Sequence, residues 1–385
     1  MHRLLRFLLV LALLTPGAVM AEDHQGGHEE EHGAHGHGHE AGKELTPEEQ
    51  RAVNKEFVIH HTKDSYDFGI FSDESTGAHY GFPLPVILWD DGLHVFLSSA
   101  FHHGEEVVES NGNHYMLNYH GDGKIYKCDA EGHILEETTV DEETGEVSVA
   151  QLAPLDFSIT KNVFVSILMC VLLFFVFRGV AKSYKSGLAP SGSAKFFEPI
   201  IVFVRDEIAR PNIGEKHYKK YMPYLLTVFF FIWFLNLAGM TPLGINVTGN
   251  IAFTAALAIL TYLITTFTAK KDYWMHIVWM PGVPVPMKII LFPIELLGTI
   301  IKPFALMIRL YANMLAGHIV LGMLLVTVFY FGAVAAKGAF IGLTFFLNII
   351  ELLVALLQAY IFTMLSALYF GSASEEHDHD HAHAH

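Results

Sequence analysis

Residues 300–328 read IIKPFALMIRLYANMLAGHIVLGMLLVTV. A run this long and apolar fits a membrane-crossing helix, which needs about 20 residues. Arg309 interrupts its interior, between the apolar segments Phe304–Ile308 and Leu310–Tyr311. An arginine deep in a membrane helix costs at least about 2.5 kcal/mol, so it is a functional candidate by default. A long cationic side chain near a helix end escapes that cost by reaching the interface, but Arg309 is too deep for this. A guanidinium also keeps its proton at any working pH. Arg309 therefore reads as a fixed positive charge and not as a proton carrier.

Outward from this run, two long apolar stretches, 289–334 and 338–370, flank Ala335-Ala336-Lys337-Gly338. They are expected to pack as an antiparallel hairpin with its turn near 335–336. A helix of about 45 residues measures about 68 Å, roughly twice the hydrocarbon thickness. Both helices must then tilt steeply, bend, or run partly along the membrane. Four further polar residues share the hairpin: Asn313, His318, Glu351 and Gln358. Antiparallel packing sets Arg309 level with Gln358 and His318 level with Glu351, the two levels lying about 13 Å apart. Imidazole and carboxylate both titrate, and a close pair titrates as a unit, which suits a proton inlet.

Facing follows from spacing. Glu295, Lys302, Arg309, Ala316 and Val320 share one helical stripe, with Asn313 close to it. His318 is nine residues beyond Arg309 and turns to the far side. Arg309 is thus expected to face an external partner and His318 the interior, with Glu295 and Lys302 lining an exit on the cytoplasmic side.

Three shorter apolar runs precede the hairpin: Val163–Phe177, Tyr221–Met240 and Ile251–Thr268. Residues 178–220 are basic and partly amphipathic, with Arg178, Lys182, Arg205 and Arg210 among their cations. The positive-inside rule puts this segment and the 270–288 loop in the cytoplasm and the uncharged 241–249 linker outside. Five crossings then leave the N-terminal part outside and the C-terminus inside. The predicted fold is an all-α polytopic membrane domain over 156–371. It has about five membrane helices plus an amphipathic helix, the last two helices long and steeply tilted. A small β-rich extramembrane region over 56–155 precedes it. There, Pro85–Trp89 and Leu93–Leu97 read as strands joined by an Asp90-Asp91-Gly92 turn, and Gly121-Asp122-Gly123 and Asp129–Gly132 read as further turns.

Residues 1–21 read as a signal peptide, with Arg3 and Arg6, apolar Phe7–Leu14 and a Val19-Met20-Ala21 end suited to cleavage. An uncleaved anchor is the alternative. Residues 22–55 are rich in His and Glu and read as a solvated tail rather than a metal-binding one. Residues 372–385 form a second, acidic and His-rich tail. Only 17% of residues are charged, below the roughly 25% of soluble domains. The formal net charge of -16 argues against nucleic acid as a partner, since phosphate binding needs basic surface. The two cysteines, Cys128 and Cys170, build no disulfide framework or thiolate metal site. No cofactor or resident metal is expected.

Ile308-Arg309-Leu310-Tyr311-Ala312-Asn313-Met314-Leu315-Ala316-Gly317-His318 resembles the arginine motif of subunit a of F-type ATP synthases. Gln358-Ala359-Tyr360-Ile361-Phe362 resembles that family's final-helix motif. Asn236-Leu237-Ala238-Gly239-Met240-Thr241-Pro242 and Thr248-Gly249-Asn250-Ile251-Ala252 resemble signatures of its third and fourth helices. The matches run in order across about 155–376. The resemblance implies a stator subunit with two half-channels that meet a ring of c subunits, each bearing a buried carboxyl group. It implies uptake of protons from outside through Asn236, His318, Glu351 and Gln358, release near Glu295, and Arg309 as the separator. Further implied partners are the b subunits of the peripheral stalk and the soluble head, in the inner (plasma) membrane of a bacterium. Many bacterial relatives carry the carboxylate at the position of His318 and the histidine at that of Glu351. Here the two are exchanged, which leaves their individual roles open.

Two rival classes are weaker. A divalent-metal transporter, suggested by the His-rich tails, needs convergent His, Asp or Glu ligands in the membrane. The spans offer one His/Glu pair and an arginine that repels cations. A membrane-bound metal oxygenase needs several His pairs at helical spacing, and the spans lack them.

Overall fold

Alternating apolar and polar residues between turn signals set up the N-terminal part of the computed structural model. It describes residues 63–374 except 74–77, 105, 120, 141–146, 186–192, 242–244, 280–283 and 331–333. The segments read as a signal peptide (1–21) and a His/Glu-rich tail (22–55) lie outside the described residues, as do 375–385. The strands form four small antiparallel sheets. One pairs β1 (Asp67–Asp73) with β2 (Ala78–Pro83), and one orders β10 (Leu155–Asp156), β3 (Pro85–Trp89) and β4 (Leu93–Leu97). A third orders β5 (Val108–Ser110), β6 (Asn113–Leu117) and β7 (Ile125–Cys128), and the last pairs β8 (Glu136–Val140) with β9 (Val147–Gln151). Strands β3 and β4 match the sequence expectation to the residue. One face of their sheet buries Val86 and Leu88 in a cluster with Phe101, Tyr115 and Ile125.

The Asp90 turn is locked from the neighbouring sheet. Lys127 Nζ lies 2.6 Å from Asp90 Oδ1, and the Tyr115 hydroxyl donates to Asp90 Oδ2 at 3.0 Å. Burial works to raise the Asp90 carboxyl, but Lys127 and Tyr115 outweigh it and hold it below its ordinary value. The stability this supplies is complete above the unfolded carboxyl's pKa, about 3.9, and is lost as pH falls through the lower folded value. Lys127→Met is expected to destabilise this region by about 2 kcal/mol at pH 7. The deficit should shrink as the pH falls far enough to protonate Asp90 in both proteins. Hydrogen exchange in β4 and β7 reads both effects.

This region is seated on the first membrane helix, α1 (Lys161–Lys185). The Asp64 carboxylate accepts from the backbone N–H of Asn162 at 3.0 Å, in the helix's first turn. Phe68 and Phe82 stack on each other, and both pack edge-on against Phe164.

The basic segment forms α2 (Ser193–Phe203), a π-helical turn (Val204–Ala209) and α3 (Arg210–Ile213). Arg205 and Arg210 both pair with Asp206 there, at 2.8 and 2.9 Å. Then follow α4 (Tyr218–Gly239), α5 (Ile251–Thr268), a short α6 (Lys271–Val278) inside the expected loop, α7 (Val285–Tyr330) and α8 (Val334–Ser374). Five helices, α1, α4, α5, α7 and α8, are long and apolar enough to cross a membrane, as expected. The α4 core residues Leu225, Phe229, Phe230, Phe231 and Ile232 are buried in the same cluster as Phe362 and Phe370 of α8.

The hairpin turn differs from the sequence expectation. Ala335–Gly338 are helical, in the first turns of α8, which begins at Val334, while α7 is described to Tyr330. Alanine and lysine favour helix, and a single glycine costs only about 1 kcal/mol, so that stretch does not end a helix. Pro293 and Pro303 lie inside α7, as membrane helices allow where neighbours re-satisfy the backbone.

Candidate functional site

Helices α7 and α8 run antiparallel and meet at two polar levels. At the first, Gln358, 2% exposed, donates its side-chain N–H to the Arg309 carbonyl at 2.8 Å. The Arg309 side chain points the other way and is exposed, as are Lys302, Asn313, Ala316 and Val320, while Glu295 is half-buried. The stripe read from the sequence is therefore an outward face of α7. Among the described residues, Arg309 makes no ion pair.

At the second level, His318 Nδ1 lies 3.5 Å from Glu351 Oε1, with the side chains 13% and 7% exposed. That is long for a hydrogen bond and within the roughly 4 Å reach of an ion pair. His318 and Arg309 sit on opposite sides of one helix, so this pair faces into the subunit. Two glycines make room for it. A Cβ at Gly317 would lie 2.5 Å from Glu351 Oε1, and one at Gly239 would lie 3.1 Å from His318 Nε2. Gly317→Ala is expected to push the carboxylate aside and destabilise the α7–α8 packing by about 1–3 kcal/mol, the usual cost of overpacking. Gly317→Ala with Glu351→Asp should recover part of that stability, because the shorter acid frees the space. Thermal unfolding in detergent measures both.

Helix α4 and the chain after it add a third wall. Asn236 is wholly buried. Its amide donates to the Ala355 carbonyl at 3.3 Å and accepts from the Thr248 hydroxyl at 2.8 Å. Ala355 is one turn beyond Glu351, so the Asn236 network abuts the pair. The Asn250 side chain caps α5 by accepting from Ala252 N–H at 2.9 Å, which fixes the chain carrying Thr248 and Asn246. Buried Asn246 has neither side-chain polar atom hydrogen-bonded among the described residues, and the same holds for His318 Nε2 and both Glu351 oxygens. Buried polar groups of this kind are normally paired or hydrated.

On the other side of Arg309's level, a cavity of about 20 Å³ is lined by Thr261, Tyr262, Tyr273, Thr299, Lys302 and Tyr369, among others. That volume holds about one water. Lys302 Nζ lies 5.8 Å from the Tyr369 ring centre. Glu295, seven residues before Lys302, does not line this cavity.

The structure thus brings together His318 with Glu351, Arg309 with Gln358 and Asn236 with the α8 backbone. It leaves Asn313 on the outer stripe, away from the pair. Sequence reading missed Asn246, Thr248, Gly239 and Gly317 as parts of the site. Gly239, Thr248 and Gly317 stand within the quoted motifs, and Asn246 stands outside them. Among the described residues, no group of three or more His, Cys, Asp or Glu side chains is placed to hold a metal ion.

The family described as ATP synthase A chain matches residues 163–371, which carry all of these side chains. The chain belongs to that family. A domain family of unknown function matches residues 57–157. The chain is 42% identical over 254 residues to ATP synthase subunit a 2 of Chlorobaculum tepidum, covering 63% of this chain and 71% of that protein. It is 39% identical over 262 residues to ATP synthase subunit a of Chloroherpeton thalassium, covering 65% and 78%. It is 38% identical over 307 residues to ATP synthase subunit a 2 of Prosthecochloris aestuarii, covering 76% and 91%. These family members and the five apolar helices make the chain a multi-pass membrane component of an ATP synthase.

Proposed function

We propose that this member of the ATP synthase A chain family is the stator subunit that conducts protons to and from a rotating c ring. The observation that carries the reading is the division of labour across α7. A largely buried imidazole–carboxylate pair faces inward, and a cation that cannot titrate faces outward about 13 Å away along the helix. Protons arrive from outside past Asn246 and Asn236 and reach the His318–Glu351 pair. The unpaired polar atoms there supply donors and acceptors for a hydrated path. From that level they load a rotor carboxyl group. After nearly a full turn of the ring, the acid releases its proton toward the cavity beside Lys302, and the proton leaves past Glu295.

Arg309 lies between the two routes. It attracts the ionised rotor acid and, holding its own proton, passes none across. Gln358 braces the α7 backbone at that level. Asn313 extends the outward stripe by one turn.

On this reading the N-terminal region is outside the inner (plasma) membrane of a bacterium and the C-terminus is cytoplasmic. The partners are the c ring, the b subunits of the peripheral stalk, membrane lipid and, through the complex, the soluble head. Catalysis of ATP synthesis belongs to that head and not to this chain. Solubilised from native membranes under mild detergent, the chain should co-purify with a c ring and a soluble ATPase. Quantitative recovery without either would refute the proposal.

A further inference from the structure

The sheet of β10, β3 and β4 is covered on one face only. The register places Leu155, Trp89 and Leu93 in one row. Phe157 bonds to Ile87 through its backbone N–H at 2.8 Å, and Ile87 pairs with Val95, which makes a second row. Of these six, all but Ile87 are more than half exposed, and Leu97 continues the face with 51% exposure. The Trp89 indole is its only side-chain hydrogen-bonding group. A contiguous apolar face on a soluble surface marks a binding site.

We propose that this face lies against the acyl and glycerol region of the bilayer's outer leaflet, so that the β region is part of the membrane anchor. The inference rests on the membrane reading of α1 but not on its role in proton transport. Helix α1 begins at Lys161, four residues beyond Phe157 of this face, and Arg178 lies toward its C-terminal end. The cation at its other end, Lys161, is buried at 7% exposure under the β region and does not reach out to headgroups. The sheet continues the chain there without a break, for the Ile159 N–H still donates to the Pro85 carbonyl at 3.0 Å, two residues before the helix.

Successive rows of one sheet face are about 7 Å apart. The row of Pro85 and Leu97 is therefore nearest the helix, and the Trp89 row lies about 14 Å beyond it. The most distant row carries Trp89, the residue type that favours the membrane–water interface. A protein partner would demand about one hydrogen bond per 100–200 Å², which this face does not offer. Lipid chains demand none.

The test is photocrosslinking in the assembled complex, in native membranes. A benzoylphenylalanine replaces Val95 in one variant and Leu93 in a second, both solvent-side positions whose exchange spares the core. The control replaces exposed Glu109 of β5. Both test variants should gain the mass of one phospholipid, at least fivefold more often than the control. Attachment to another subunit, attachment to a second copy of this chain, or no adduct above the control would each overturn the proposal.

Discussion

Arg309→Ala should bring ATP-driven proton pumping to background while the complex still assembles. A guanidinium about 4 Å from an ionised carboxylate, at an effective dielectric near 20, contributes on the order of 4 kcal/mol. Its loss corresponds to about a thousandfold in rate. Assembly should survive because the side chain is exposed and Gln358 binds the backbone carbonyl of residue 309, not its side chain. Arg309→Lys should not rescue pumping fully. Lysine keeps the charge but loses the fixed fork, and its proton is exchangeable when desolvated. Quinacrine-type pH imaging in inverted vesicles, with ATP hydrolysis measured in parallel, separates coupling from catalysis. Normal coupled pumping by Arg309→Ala would remove the proposed role.

His318→Ala and Glu351→Ala should each slow proton uptake by about 100-fold, the lower range for loss of a positioned acid or base. Exchange of the two, His318→Glu with Glu351→His, should retain more flux than either single loss. The physical reason is the facing geometry. With 3.5 Å between Nδ1 and Oε1, either order puts one imidazole beside one carboxylate at the same depth. Passive proton flux through the membrane sector after removal of the soluble head is the readout. Equal defects in all three variants would contradict an interacting pair.

The membrane sector was legible because burying backbone in lipid leaves few options. The span Ile251–Thr268 could be read to the residue, and helical spacing alone put Arg309 and His318 on opposite sides of α7. The hairpin turn was misread. Glycines stand at both Gly332 and Gly338, so composition alone does not choose between them, and Ala335–Gly338 with its charge proves to be helical. The pairing of levels survived that error because it depends on which polar residues can meet in an apolar hairpin, more than on where the turn falls. Asn246 and Thr248 were missed as site residues for a different reason. They lie in a short linker with no periodicity, and only tertiary packing buries Asn246 and brings Thr248 beside Asn236. The strands β3 and β4 were readable from one turn and its flanking alternation. That the outer face of their sheet is apolar was equally visible in Leu93, Val95 and Leu97, but its meaning needed β10 to be placed alongside and tied to α1.

The most direct measurement is a density map of the intact complex in lipid, resolved well enough to place the Arg309 guanidinium against the ring. The account expects it at mid-bilayer depth, within about 4 Å of a rotor carboxyl group in at least one rotational state. A guanidinium in the headgroup layer, or turned to lipid with no rotor surface opposite, would contradict it.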